Sequence, residues 1–247
     1  MFSVNLIDTN NDIALSHPPS NKLNLKKFDI MSLKFDCKFG FAALIIGKRG
    51  VGKSFLIKDI MHYNQDIPCG QVVTSDVNRD MYDKMIPNQF IHQEYKPGII
   101  HDMIKRRNNN EGDDPCAFLI FDNCIYSKSF FNDKTIKNVY ISGRNNKLIT
   151  INAISYPLHI PPAIRTSMNY VFILRENIIG NRKLIHNQYA GIFPSFEDFC
   201  IVMDACTQDY SCLVIKNGSN ISQIEDSVFW YKAESHEDFM LCQELNL

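Results

Sequence analysis

Residues 47 to 54 read "GKRGVGKS", with Gly47 and Gly52 enclosing four residues and Lys53 and Ser54 closing the run. Glycines at such positions let the backbone curl until successive N–H groups point inward at an oxyanion. A helix opening at Lys53 adds its positive end to the same spot. The Lys53 ammonium is placed to meet the β- and γ-phosphates of a nucleotide, and the Ser54 hydroxyl to ligate Mg²⁺. The candidate phosphate-binding set is Gly47, Lys48, Arg49, Gly50, Val51, Gly52, Lys53, Ser54 and Phe55. A chance glycine-rich turn is the plain alternative, and the apolar strand before and helical pattern after argue against it.

A second stretch, "CAFLIFDNC" (116–124), is an apolar run that stops on Asp122 and Asn123. If this strand lies next to the loop strand, Asp122 reaches the metal side and shares Mg²⁺ with Ser54. The ordinary reading is a strand ending in a turn-favouring Asp-Asn pair. A second acid directly after the first could take a proton from an attacking water. Asn123 cannot do that, although its carbonyl and amide can orient a water. Its presence weighs against simple general-base hydrolysis without excluding turnover.

These residues need elements to hold them. "FAALII" (41–46), "QVVTS" (71–75), "AFLIF" (117–121), "LITINAI" (148–154) and "YVFIL" (170–174) predict strands. "KSFLIKDIMHY" (53–63), "GIIHDMIKRR" (98–107), "DKTIKNVYISG" (133–143) and "FEDFCIVMDAC" (196–206) predict helices. Ile-, Val- and Phe-rich strands separated by helices imply an α/β fold with a mostly parallel central sheet flanked by helices. "CLVIK" (212–216) and "SVFWYKA" (227–233), joined by a turn-rich segment, imply an antiparallel C-terminal edge addition. Residues 1–24 lack periodicity and read as a flexible N-terminal arm, leaving residues 25–247 as one domain.

The 247 residues are 45% hydrophobic and 21% charged, with a formal net charge of −1. That balance gives no global pull toward nucleic acid, so any DNA contact must come from a local patch or a surface repeated in an oligomer. Lys105, Arg106 and Arg107 form the densest basic cluster, which reads either as a solvated helix end or as such a patch. No apolar stretch is long enough for a membrane span, and the first residues lack a signal-peptide core, so a cytosol-like compartment is expected. None of the eight cysteines forms a C-x-x-C pair, and buried reduced thiols are expected.

Beyond the phosphate loop lie "SGRNNKLITINAISYPLHIPPAIRTSMNYVFILRE" (142–176), "YAGIFPSFEDFCIVMDACT" (189–207) and "EDSVFWYKAE" (225–234). With these motifs the sequence resembles the genome-packaging ATPases of nucleocytoplasmic large DNA viruses, which include the poxvirus packaging ATPase and belong to the FtsK/HerA class of P-loop motors. The resemblance runs from about residue 30 to 235. It implies a RecA-like P-loop NTPase fold, ATP and Mg²⁺ as ligands, double-stranded DNA and capsid or portal-vertex proteins as partners, and a homo-oligomeric ring. The implied place of work is the host cytoplasm, at the viral factory, with the virion as a second.

Residue by residue, the resemblance makes Lys53 and Asp122 catalytic. It makes Asn123 a branch variant and Arg144 a finger that reaches a neighbouring subunit's γ-phosphate. The polar sensor, a glutamine in that family, falls on Ser155, whose shorter side chain is a departure from the pattern. Arg144 also reads as a solvated helix-end arginine. Arg165 and Arg175 read as structural ion-pair residues, and Asp76 as an exposed turn residue or a substitute base. Two other functions compete with a packaging motor: a nucleotide-binding structural component of the virion, and a small P-loop kinase.

Overall fold

The computed structural model describes residues 3–8, 22–36, 38–109, 116–124, 128–156, 160–218 and 223–242, with the side chains of residues 22, 76, 106–109 and 128–129 outside that description. Among the described residues, ten strands run in chain order: β1 (Ser3–Ile7), β2 (Lys22–Lys26), β3 (Ala42–Ile46), β4 (Cys69–Thr74), β5 (Ile91–His92), β6 (Ala117–Asp122), β7 (Leu148–Ile154), β8 (Tyr170–Ile173), β9 (Ser211–Lys216) and β10 (Val228–Lys232). The helices are α1 (Lys53–His62), α2 (Asp76–Asp83), α3 (Pro97–Asn109), α4 (Lys134–Ser142), α5 (Pro162–Arg165), α6 (Ile179–Tyr189) and α7 (Phe196–Cys206).

Eight strands form one sheet in the order β10-β9-β8-β3-β7-β6-β4-β5. Every pairing from β8 to β5 is parallel, while β9 and β10 are antiparallel additions beyond β8. The central strands are apolar along their length because both faces are covered: every residue of β3, β6 and β7 is buried. Alternate residues feed two cores. Leu44, Leu119 and Ile173 pack toward α3, α4, α6 and α7, whereas Ile45, Ile120 and Phe172 pack toward α1 and Tyr82 of α2.

One expectation about adjacency fails. The acid-ended strand β6 does not lie beside the loop strand β3, because β7 is inserted between them. The carboxylate still arrives at the same edge, since parallel pairing sets Ile46 of β3 against Ile154 of β7, and Ala153 of β7 against Asp122 of β6. Three strand ends therefore stand in a row, carrying Gly47, Ser155 and Asn123 as their next residues.

The N-terminal stretch contains regular structure that its sequence does not announce. β1 pairs in parallel with β2 from Ser3↔Lys22 to Ile7↔Lys26, and the Trp230 indole N–H donates to the Ile7 carbonyl at 3.2 Å. Phe28 N–H also bonds the Trp230 carbonyl at 2.8 Å, so this strand pair lies against the β10 edge of the sheet. The described cysteines, Cys69, Cys116, Cys124, Cys200, Cys206, Cys212 and Cys242, are all free thiols; Cys37 lies outside the described residues. Among the described residues, no helix is long and apolar enough to cross a membrane.

Candidate nucleotide site

The loop from Gly47 to Gly52 leaves β3 and delivers the chain to the N-terminus of α1. Gly52 caps that helix with φ +105°, a conformation that side-chain-bearing residues seldom adopt. At Gly47 the constraint is space: a Cβ there would meet Val51 Cγ2 at 2.7 Å and Leu174 Cβ at 3.0 Å. Gly47 N–H is tied to the Ile154 carbonyl of β7 at 3.0 Å, which fixes the loop entrance to the neighbouring strand. Lys48, Arg49, Gly50 and Phe55 are exposed around the loop, and Val51 is half-buried.

Lys53 is the first residue of α1 and is buried, with its ammonium turned back over the loop. Its Nζ donates to the carbonyls of Gly47 at 2.7 Å and Lys48 at 3.1 Å, and to Ser155 Oγ at 3.3 Å. Burial lowers the Lys53 pKa, and the Asp122 carboxylate opposes that shift. Ser155 Oγ in turn donates to Asn123 Oδ1 at 2.6 Å. Asn123 holds φ +55° and anchors its own N–H to the Ala153 carbonyl at 2.8 Å. Asparagine is one of the few side-chain-bearing residues that accept this left-handed conformation readily.

Asp122 is fully buried. Its Oδ2 accepts from Ser54 Oγ at 3.2 Å, Asn78 Nδ2 at 3.1 Å and Tyr82 Oη at 3.1 Å. Its Oδ1 has no hydrogen-bond partner among the described residues. Burial raises the Asp122 pKa, against the lowering influence of Tyr82, Lys53, Ser54 and Asn78. The Tyr82 phenol is pushed well up by burial and by the adjacent carboxylate, so it stays a donor at neutral pH. The Ser54–Asp122 pair fits Mg²⁺: both offer hard oxygen ligands, and one carboxylate oxygen lacks a donor. No group of three or more His, Cys, Asp or Glu side chains suited to a metal occurs among the described residues, so phosphate and water oxygens would supply the remaining ligands.

Asn78 and Tyr82 are site residues that sequence reading missed. They come from α2, a mostly polar helix with no local mark of a ligand; its pairing with Asp122 depends on β4 lying beside β6. Asp76 begins α2, with its side chain outside the described set.

Arg144 is not brought to this cluster. It lies between α4 and β7, exposed, with its guanidinium 5.4 Å from the centre of the Phe39 ring. Ser155 sits past the other end of β7, roughly 20 Å or more away at the usual rise per strand residue. Nor do Arg165 and Arg175 form the expected ion pairs among the described residues. The acid near Arg175, Asp204, is occupied by Arg182 at 2.6 and 3.0 Å, and Arg175 Nη1 is buried without a partner among the described residues.

A cavity of about 820 Å³ opens over the loop. Arg49, Lys53, Ser54, Asn78 and Asn123 line it, together with Leu174, Tyr210 and Ala233. A curled glycine loop between β3 and α1, facing an acid at the carboxyl end of a strand in the same parallel sheet, defines a P-loop NTPase. No family model matches the chain. It is 31% identical over 230 residues to uncharacterized protein L437 of Acanthamoeba polyphaga mimivirus, covering 88% of this chain and 80% of that one. Against uncharacterized protein 075L of Invertebrate iridescent virus 6 the identity is 36% over 224 residues, covering 86% and 84%. The chain belongs to this family of nucleocytoplasmic large DNA virus proteins. Its fold is also that of the genome packaging NTPase B204 from Sulfolobus turreted icosahedral virus 2, solved with sulfate, at TM-score 0.57 and 12% identity over 80% of this chain and 98% of that one.

Proposed function

We propose that this protein is an Mg²⁺-dependent ATPase that drives double-stranded viral DNA into preformed capsids. The observation that carries the reading is the hydrogen-bonded convergence of Lys53, Ser54, Asp122, Asn123 and Ser155 beside a cavity lined by Arg49, Gly50 and Gly52 of the phosphate loop. The B204 NTPase shares the fold and has been solved with AMPPCP, which supports a nucleotide in this cavity.

The N–H groups of the loop and the start of α1 hold the phosphates. Lys53 swings from the carbonyls of Gly47 and Lys48 to the β- and γ-phosphates. Mg²⁺, when bound on Ser54 and Asp122, neutralises charge on the phosphate oxygens. Water adds in line to the γ-phosphorus as the bond to the ADP oxygen breaks, and its proton ends on the released phosphate. Asn123 orients that water. Its carbonyl is occupied by Ser155, so its amide N–H₂ is the free group. Arg144 is too far to serve its own site and completes a neighbour's in a head-to-tail ring, which couples hydrolysis to relative subunit motion.

The competing reading is a nucleotide-binding virion component with little turnover. Asn123 favours it, as an amide where a base could stand. ATP hydrolysis by purified protein, with oligomer size measured alongside and with or without duplex DNA, separates the two. DNA-stimulated turnover by an oligomer supports the motor, and tight ATP binding without turnover supports the component.

A further inference from the structure

Beside the phosphate loop the cavity has a second wall, built from unusual parts. Gln208 to Ser211 form a tight turn, closed by Ser211 N–H on the Gln208 carbonyl at 2.8 Å. Its two central residues, Asp209 and Tyr210, hold φ +47° and +64°. For a tyrosine this is a strained backbone, of the kind retained where a side chain must be aimed. The ring it aims is 73% exposed, yet it lines the cavity beside the loop: a Cβ on Gly52 would lie 3.8 Å from Tyr210 Cδ1 and 3.6 Å from Leu174 Cδ2.

Beside this wall is the segment that leaves β10, where Lys232 pairs with Ser211, and where Lys232, Ala233 and Ser235 line the cavity. The N–H groups of Ala233, Glu234 and Ser235 donate to no backbone carbonyl among the described residues. The segment is nevertheless held in place. On one side Tyr231 Oη donates to Asp59 Oδ2 at 2.5 Å, and on the other His236 Nε2 meets Asp59 Oδ1 at 2.5 Å. Asp59 is a fully buried residue of α1, the helix that begins at Lys53. One carboxylate thus fixes the distance between the segment and the phosphate loop.

We infer that this wall of the cavity is a nucleobase subsite, in which the Tyr210 ring stacks on the base and the main chain of Ala233–Ser235 lies along its polar edge. A base presents a π-face and a hydrogen-bonding edge, which an exposed aromatic ring and free peptide groups match. The inference rests on the nucleotide reading above and adds the groups that recognise the base. Fixing the segment through Asp59 preorganises the subsite, so little ordering is required on binding.

The test compares Mg-ATP with Mg-tripolyphosphate, which carries no base, by calorimetry on the full chain. Wild type is expected to bind ATP more tightly. Tyr210→Gly suits the positive φ and should keep the melting temperature, yet weaken ATP by roughly ten- to a hundredfold, the range for loss of one base–aromatic stack. Tripolyphosphate affinity should not move, and Tyr210→Phe should retain ATP binding. An unchanged ATP-to-tripolyphosphate ratio in Tyr210→Gly overturns the subsite, as does equal loss of both ligands. Wild type binding both ligands equally overturns it while leaving the phosphate site intact. Wild type binding neither overturns the nucleotide reading, and the subsite with it.

Discussion

Ser155 Oγ and Asn123 Oδ1, from the residues that follow β7 and β6, share a hydrogen bond of 2.6 Å. Its polarity follows from the third member of the chain. An ammonium can only donate, so Ser155 Oγ accepts from Lys53 and has its own proton free for the Asn123 carbonyl. The charge on Lys53 is thereby linked to the orientation of the Asn123 amide. A nucleotide that draws Lys53 away removes the ammonium from Ser155 while leaving the Ser155–Asn123 bond in place.

In the proposed mechanism that linkage makes the two residues one functional unit. Asn123→Ala should lower turnover by about a hundredfold with ATP affinity held, as expected for loss of one positioning contact. Ser155→Ala should reduce turnover in the same direction, and the double variant should be little worse than the single ones, because both break the same chain. Asn123→Asp offers a base of similar volume and should keep or raise turnover. Steady-state kinetics on the four variants checks this. Strict additivity, or no turnover in wild type with brisk turnover in Asn123→Asp, would sink the idea and leave a nucleotide-binding component.

Asp122 carries a conflict between stability and function. Burial raises its pKa in the folded state, so the folded protein holds the proton more tightly than the unfolded chain does. Stability tied to that proton is full below the unfolded value near 3.8 and is lost as pH rises through the folded value. Ionising the carboxylate therefore costs stability in the nucleotide-free protein. Asp122→Asn should keep or raise the melting temperature while abolishing Mg²⁺-dependent turnover. A clear drop in melting temperature at neutral pH would show that the hydrogen bonds from Ser54, Asn78 and Tyr82 outweigh the burial cost.

The strands and helices most exposed to view in the sequence are those whose patterns carry their own burial. β7 and α7 match their predicted spans because each is apolar in the right period over its whole length. α6 was not legible, since its buried face includes Arg182, whose charge is met by Asp204 from α7. Residues 1–24 read as an arm because the partner that ties β1 to the sheet, Trp230, lies more than two hundred residues along the chain. The phosphate loop and the end of β6 were legible as motifs. Tyr82, Asn78 and the Tyr210 wall were not, because strand order brings them to the cavity and no local spacing encodes it.

The rings of His62 and His236 stack with centroids 3.7 Å apart and clasp the C-terminal segment to α1. Burial lowers the His62 pKa, and the neighbouring His236 lowers it further, against the opposing pull of Asp59. A histidine depressed below its ordinary value of 6.5 takes up its proton more readily when unfolded. Stability from this group is therefore present above that value and is lost as pH falls through it. Relative to wild type, His62→Gln should show a flatter fall in melting temperature between pH 7 and pH 5.5, an interval set about the ordinary histidine value. Parallel curves for the two proteins would remove His62 from the clasp.

Arg144 offers the sharpest test of a ring. Its exposed guanidinium lies at the far end of β7 from Ser155 and rests on Phe39, so it has no route to the phosphates of its own subunit. If it acts in trans, Arg144→Ala should bind ATP normally and lose turnover by roughly a thousandfold or more, the range for removing an arginine finger. Lys53→Ala should lose ATP binding instead, because the triphosphate would lose its main cationic partner. Neither variant turns over alone, but a mixture contains interfaces where an intact Lys53 loop meets an intact Arg144. Turnover in the mixture should therefore recover in proportion to such interfaces, rising and then falling as the ratio is varied. Arg144→Lys should not substitute, since a point charge lacks the planar fork that grips two phosphate oxygens. Full activity in Arg144→Ala would reduce the residue to a surface arginine, and absence of rescue at every ratio would mean that sites are not shared between subunits.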